Sequence, residues 1–282
     1  MKQLPFLSTP PTWSPAAANR RRPAVIVPLQ STEPNELHLT ANRIAATGVV
    51  DAIEWRIDQA LAELSSGPGT ATVPTSTSTV ASARADSLAE AVLELAPNVL
   101  SAGLPVLVTL RTAIEGGVAE VGDEDYGTII GRIIEGLNTV DAVPVAVDVE
   151  IDREASSALI ARAHDRGLTV VASHHNFGGT DSQDDLSATY DRMADVGADV
   201  AKIAMMPANA RDVTTVLNAT AEADARLSCP VLGISMGELG RTTRILGADF
   251  GSCATFAQLG LASAPGQIDV RELAHILDSL YG

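Results

Sequence analysis

The sequence predicts an α/β fold in which eight parallel strands close into a (β/α)8 TIM barrel, and three observations carry that reading. Eight short apolar runs recur along the chain with helix-like stretches between them, the rhythm of βα units. Hydrophobic residues make up 46% of the chain but aromatics only 3%, so Ala, Val, Leu and Ile must fill strands buried on both faces. The open doubly wound sheet lacks its usual Gly-rich phosphate loop after the first run, where residues 29 to 33 read L-Q-S-T-E.

The expected strands are Ala24 to Leu29, Ala52 to Ile57, Pro105 to Leu110, Pro144 to Val149, Leu168 to Ser173, Val200 to Met205, Pro230 to Ile234 and Asp249 to Ala254. Amphipathic periodicity places helices over Glu36 to Ala46, Ser87 to Leu95, Tyr126 to Leu137, Arg153 to His164, Asp185 to Met193, Ala210 to Ala223 and Val270 to Leu280. The Ser-, Thr- and Pro-rich stretch from Ser65 to Ser82 fits neither template and reads as a solvated insertion. A chain of 282 residues suits one such barrel. Residues 23–282 are therefore expected to form a single domain behind a flexible N-terminal arm, residues 1–22.

A formal net charge of −16 argues against nucleic acid as a partner, because phosphate binding needs a basic face that this composition is poorly placed to supply. Cys229 and Cys253 are the only cysteines and lie in separate apolar runs, which fits reduced thiols and a cytoplasmic setting. The arginines at 20 to 22 raise the possibility of an export signal, but the apolar run after them, Ala24 to Leu29, is too short for one. No segment approaches a membrane span.

Lysine usage points to the chemistry. Of 19 Lys and Arg residues, only Lys2 and Lys202 are lysines. Lys202 lies in V-A-K-I-A-M, where strand alternation puts it on one face with Val200 and Ala204, the expected barrel interior. Burial disfavours the ammonium, and a neutral amine is what attacks a carbonyl. Pairing with a barrel carboxylate is the structural alternative.

In Leu168 to His175 the same alternation aligns His175 with Ser173 and Val171 and turns His174 away. His175 therefore follows a strand's C-terminal end, where barrel enzymes place proton-transfer groups. Glu54 and Arg56 share one strand face, as do Asp148 and Glu150, which could simply neutralise neighbouring charges. Arg111 and Glu115 follow another strand in T-L-R-T-A-I-E-G-G. Arg244 offers a forked donor for a carboxylate, and S-A-P-G-Q, Ser263 to Gln267, forms a small-residue loop able to meet a polar ligand. No ligand spacing typical of a metal site appears.

These motifs in their order closely resemble those of type I 3-dehydroquinate dehydratases, Schiff-base enzymes of the shikimate pathway that serves aromatic amino-acid biosynthesis. The likeness runs from V-I-V-P-L at Val25 through E-W-R-I-D, T-L-R-T-A-I-E-G-G, V-D-V-E, S-H-H-N-F, A-K-I-A and G-I-S-M-G-E-L-G-R-T-T-R to S-A-P-G-Q-I at Ser263. It implies a homodimeric barrel that needs neither metal nor organic cofactor and takes 3-dehydroquinate as substrate. It also implies that Lys202 forms the imine, that His175 moves the proton, and that Glu115 orients or tunes His175. By the same resemblance Arg244 clamps the carboxylate, while Glu54, Arg56, Arg111, Ser263 and Gln267 hold the ring and its hydroxyls.

Two departures stand out. Asn176 replaces the usual Asp after the histidine, from which a modest shift in pH optimum is expected, and Pro28 stands where some members carry a small hydroxyl residue. A class I Schiff-base aldolase and a non-catalytic barrel that binds a shikimate-type acid are the alternative readings.

Overall fold

The structure, a computed structural model, describes residues 1–7, 15–66, 78–137, 143–260 and 263–282, except for the side chains of 66 and 78–82. In chain order a one-turn helix α1 (Pro15–Ala18) leads into β1 (Ala24–Leu29), α2 (Pro34–Ala45), β2 (Ala52–Arg56), α3 (Ile57–Ser66) and α4 (Ser78–Leu100). Next come β3 (Val106–Thr109), α5 (Asp123–Gly136), β4 (Val145–Glu150), α6 (Ser156–Asp165), β5 (Thr169–Asn176), α7 (Gln183–Asp195) and β6 (Val200–Met205). The chain ends with α8 (Ala210–Arg226), β7 (Val231–Ser235), α9 (Arg241–Leu246), β8 (Ala254–Gln258), β9 (Ile268–Asp269) and α10 (Val270–Tyr281).

The expected barrel is the fold observed. Strands β1 to β7 pair in sequence order, every pairing is parallel, and β8 returns to β1. The remaining seam, between β7 and β8, is joined by a bridge between Val231 and Ser252, with the Cys253 N–H donating to the Val231 carbonyl at 2.8 Å. Outward-facing strand residues such as Val25, Ile53, Val108, Val147 and Ile203 pack under the helices in the larger apolar core.

Strand alternation divides the interior into two halves. Ala24, Ile26, Ala52, Leu107, Ala146, Val171, Val200, Leu232 and Ala254 form an apolar layer towards the strands' N-terminal ends. The charged inward-facing residues, Glu54, Arg56, Asp148, Glu150, His175 and Lys202, follow nearer the C-terminal ends. Four of the lower positions are alanines, and the space they leave is taken by Leu4, Phe6 and Ala16, all buried in the same cluster.

The first residues thus differ from the flexible arm expected for 1–22. Leu4 and Phe6 plug the barrel floor, Lys2 pairs with Asp224 at 3.0 Å, and the Ala16 N–H donates to Asp51 at 2.8 Å. Arg22 joins Asp51 and Asp278 at 3.1 and 2.9 Å. An apolar residue in a Pro- and Ser-rich segment shows no periodicity of its own, so the vacancy it fills is visible only once the barrel has closed.

Three further expectations shift. The last strand is Ala254–Gln258 rather than Asp249 to Ala254, because residues 247 to 250 make a 3-10 turn that ends at Gly251 with φ +96°. Helices α3 and α9 were not expected; α3 starts directly at the end of β2, without a loop to announce it. Residues 67–77 of the Ser65 to Ser82 insertion lie outside the described residues, but the backbone is helical up to Ser66 and again from Ser78, so α4 is far longer than Ser87 to Leu95. No described helix is long and apolar enough to cross a membrane.

If Leu4 and Phe6 are integral to the floor, Phe6→Ala should lower folding stability by about 3 kcal/mol, the usual range for an emptied aromatic site. Urea unfolding followed by circular dichroism measures this; an unchanged midpoint would show that the segment is dispensable.

Candidate active site

The nine residues to which the resemblance gives roles all line one cavity at the C-terminal mouth of the barrel. The β5–β6 register sets Ser173 beside Lys202 and His175 beside Ala204, so the amine and the imidazole come from neighbouring strands on the same interior face. Lys202 is buried, with Nζ 3.7 Å from Glu54 Oε1, 3.6 Å from Asp148 Oδ2 and 4.7 Å from the centre of the Phe256 ring. The amine therefore has the carboxylate neighbours that the sequence left open as the structural alternative. Both carboxylates and the ring face are contacts that a positive nitrogen makes.

Arg111, just beyond β3, organises the floor of the cavity. Its guanidinium donates to Glu115 at 2.6 Å, Asp148 at 2.7 Å, Glu150 at 3.1 Å and Ser173 at 3.0 Å. Glu150 is further satisfied by the Thr112 N–H and hydroxyl, each at 2.8 Å, and by Arg153 at 2.8 Å. The expected pairing of Asp148 and Glu150 with neighbouring opposite charge is present, and Arg111 supplies much of it.

Glu115 reaches the cavity from a 3-10 turn, Ala113–Glu115, that ends at Gly116 with φ +80°. A Cβ at Gly116 would lie 2.2 Å from the Phe177 ring, so glycine meets both the turn geometry and the close approach there. Glu115 Oε2 is 2.9 Å from His175 Nδ1, which leaves Nε2 for a ligand. Burial, reinforced by the positive charge of Arg111 and Lys202, holds His175 well below the usual imidazole range. Burial also pushes Glu115 up to about 8, against the pull of Arg111. The imidazole is consequently neutral and able to accept a proton at pH 7.

Arg56 is held by a two-pronged pairing with Asp58 at 2.7 and 2.8 Å. Arg244, buried on α9, has a different environment. Its guanidinium meets only the carbonyls of Phe256 at 3.4 Å and Pro265 at 3.1 Å, its Nε has no partner, and none of the described carboxylates pairs with it. Desolvation without a compensating anion lowers its pKa to about 10. A ligand carboxylate entering the cavity would supply the missing charge. Beside it, Ser263 and Gln267 bond each other at 2.9 Å in both directions, and Gly266, at φ +76°, lies so close to the Gly237 carbonyl that no Cβ would fit.

Phe256, Phe177 and Met236 also line the cavity and were not singled out from the sequence. Phe256 was hidden by the misplaced last strand. Placed on β8, it follows Ala254 by two residues and so faces inward.

His174 points away from the site, as alternation requires, with Nδ1 2.5 Å from Asp152 and Nε2 2.9 Å from Asp181. Asn176 donates to Asp181 at 2.7 Å and accepts from the Gly178 N–H at 2.8 Å, so its side chain serves the loop after β5. Among the described residues, Glu115, Asp152 and His174 bring possible metal-ligand atoms within 4.8 Å of one another. The hydrogen bonds already described account for both nitrogens of His174 and for Oε2 of Glu115.

Comparison with known proteins adds to this geometry. A family model described as type I 3-dehydroquinase matches residues 25–282. The chain is 34% identical over 261 residues to a 3-dehydroquinate dehydratase of Lactiplantibacillus plantarum, covering 92% of this chain and 93% of that protein. It is 40% identical over 179 residues to one from Listeria monocytogenes, covering 63% of this chain and 69% of the relative. Among solved structures, the type I 3-dehydroquinate dehydratase of Clostridium difficile, described with covalent modified comenic acid, superposes with TM-score 0.74 at 27% identity, covering 92% and 93% of the two chains. The enzyme of Geobacillus kaustophilus gives TM-score 0.71, also at 27% identity, with 92% and 91% covered.

Burial opposes the charge on His174, but hydrogen bonds to Asp152 and Asp181 outweigh it and raise the pKa to about 9. A raised folded-state pKa gives stability that is complete below the unfolded value of about 6.5 and is lost as pH rises through 9. The stability gap between wild type and His174→Asn in urea should therefore be wide at pH 6 and narrow at pH 9.5. A gap that is constant with pH would mean the imidazolium contributes nothing.

Proposed function

The chain belongs to the type I 3-dehydroquinase family, and we propose that its barrel converts 3-dehydroquinate to 3-dehydroshikimate and water through an imine on Lys202. The observation that carries this reading is the meeting, in one buried cavity, of the only interior lysine, a neutral histidine and an arginine without a counter-ion.

The substrate carboxylate neutralises Arg244, which orients the ring so that its ketone meets Lys202. The Lys202 ammonium lends one proton to His175 and its nitrogen adds to the carbonyl carbon; the oxygen takes that proton back from His175 and a second from nitrogen and leaves as water, while the nitrogen keeps the third as the iminium. That positive nitrogen withdraws electrons from the adjacent carbon far better than a ketone does, so a modest base suffices to take its proton. His175 Nε2 accepts that proton, with Nδ1 held by Glu115, and an enamine forms. The enamine electrons then expel the hydroxyl one carbon further on, which leaves as water with a proton returned from His175. Water hydrolyses the product iminium, releasing the enone and restoring the amine.

Glu54, Arg56, Arg111, Ser263 and Gln267 hold the ring and its hydroxyls. The reaction draws on side chains alone, with no metal or organic cofactor. We further place the protein in the cytoplasm, in keeping with two free cysteines, and assign it the homodimeric state implied by the family resemblance.

Borohydride added with 3-dehydroquinate should attach the mass of a reduced adduct to Lys202. Lys202→Ala should take no label and lose turnover; full turnover in that variant would end the proposal. His175→Ala should still be trapped while dehydration falls about 10²- to 10⁴-fold. Carbon–carbon cleavage of an aldol substrate by the wild type would instead favour an aldolase.

Loss of the Arg244 guanidinium should appear mainly in substrate binding. For Arg244→Ala, KM should rise about 10- to 100-fold, the loss expected for charge-assisted hydrogen bonds, while trapping at saturating substrate persists. An unchanged KM would remove Arg244 from the site.

A further inference from the structure

One charged group beside the reacting nitrogen has no part in the mechanism above. Asp148 is completely buried on β4 and is not among the residues that line the cavity. Its Oδ1 accepts from Arg111 at 2.7 Å and from the Ser173 hydroxyl at 2.6 Å. Its Oδ2 has no hydrogen-bond partner and lies 3.6 Å from Lys202 Nζ. A buried carboxylate oxygen left without a donor is costly unless a positive charge stands opposite. Among the described residues, the cation opposite Oδ2 is the lysine nitrogen.

We propose that Asp148 is the counter-ion of the iminium: its fixed, unpartnered oxygen keeps the Lys202 imine protonated while the carbon proton is removed. The inference rests on the Schiff-base reading given above. An iminium is a stronger acid than the ammonium it replaces, and it loses its electron-withdrawing power when it loses its proton. A carboxylate that was in place before the reaction holds the proton on nitrogen without any reorganisation.

Glu54 is the other carboxylate near Nζ, but its Oε1 also accepts from Thr109 at 3.2 Å and it lines the cavity, where the substrate's hydroxyls compete for it. Asp148 lies outside the cavity lining, and its second oxygen is anchored by Arg111, itself fixed by Glu115 and Glu150. The charged and titratable groups facing Asp148 are thus Glu54 on β2, Arg111 and Glu115 after β3, Glu150 on β4 and Lys202 on β6. Tyr126 on α5 stands behind Glu150, and His175 lies beyond Ser173 on β5. Burial raises the affinity of Asp148 for a proton, yet Arg111 and Lys202 together keep its pKa below the usual carboxylate range, so the group is ionised throughout the neutral range.

Cyanoborohydride reduces the iminium and spares the neutral imine, so the pH dependence of Lys202 labelling with 3-dehydroquinate reports the proton on nitrogen. In Asp148→Asn the labelling midpoint should move to lower pH by about 1–2 units, the effect of removing one opposite charge at this distance. Its kcat should fall at least 10-fold at pH 8, with KM within a few-fold of wild type. A merely structural role would leave the midpoint in place, and an unchanged midpoint would overturn the proposal.

If Asp148→Asn does not fold, the Raman C=N band of the adduct accumulated in His175→Ala decides. With Asp148 intact it should shift on deuteration up to pH 9, and loss of that shift at pH 8 would overturn the proposal. Absence of any Lys202 label in the wild type is a different result, because it rejects the Schiff-base reading itself.

Discussion

Arg111 sits buried among three acidic side chains and a hydroxyl, and much of the site is held in place through it. Each buried acid would be destabilising alone, since stripping a carboxylate of water costs several kcal/mol before any partner is counted. One planar guanidinium with donors on several sides binds Glu115, Asp148, Glu150 and Ser173 together. Glu115 then fixes the His175 ring, and Asp148 fixes the electrostatic surroundings of Lys202. A lysine at 111 could not serve in this way, because an ammonium lacks the forked planar geometry.

Arg244 shows the opposite use of the same chemistry. It is as deeply buried as Arg111, yet only main-chain carbonyls meet it. The two arginines thus differ in kind: Arg111 is satisfied in advance by acidic side chains, while Arg244 is left open to an anion. On the proposed reaction, binding energy from the substrate's carboxylate, remote from the reacting carbon, would be available to hold the ketone against the lysine.

The barrel supports this division along its axis. Small apolar residues and the Leu4 and Phe6 plug keep the lower half dry. That dryness strengthens every electrostatic contact in the half above, because few mobile dipoles are present to screen it. Lys202 stands at the boundary, with alanines and Phe256 on some sides and two carboxylates on others. The amine is therefore positioned chiefly by charge rather than by an apolar shell.

Periodicity and composition by themselves determined the barrel, the inward face of most of its strands, and the placing of Lys202 and His175 on one face with His174 on the other. These follow from local rules, since alternation within a strand does not depend on what lies across the barrel. Motif resemblance extended the reading to Glu115, Arg244 and the Ser263 to Gln267 loop. Only the tertiary structure decided that Phe256 faces the amine, that the first residues close the floor, and that Arg111 and Ser173 both bind Asp148. Those contacts join residues dozens of positions apart, and their energies exist only when eight strands have closed and excluded water from between them.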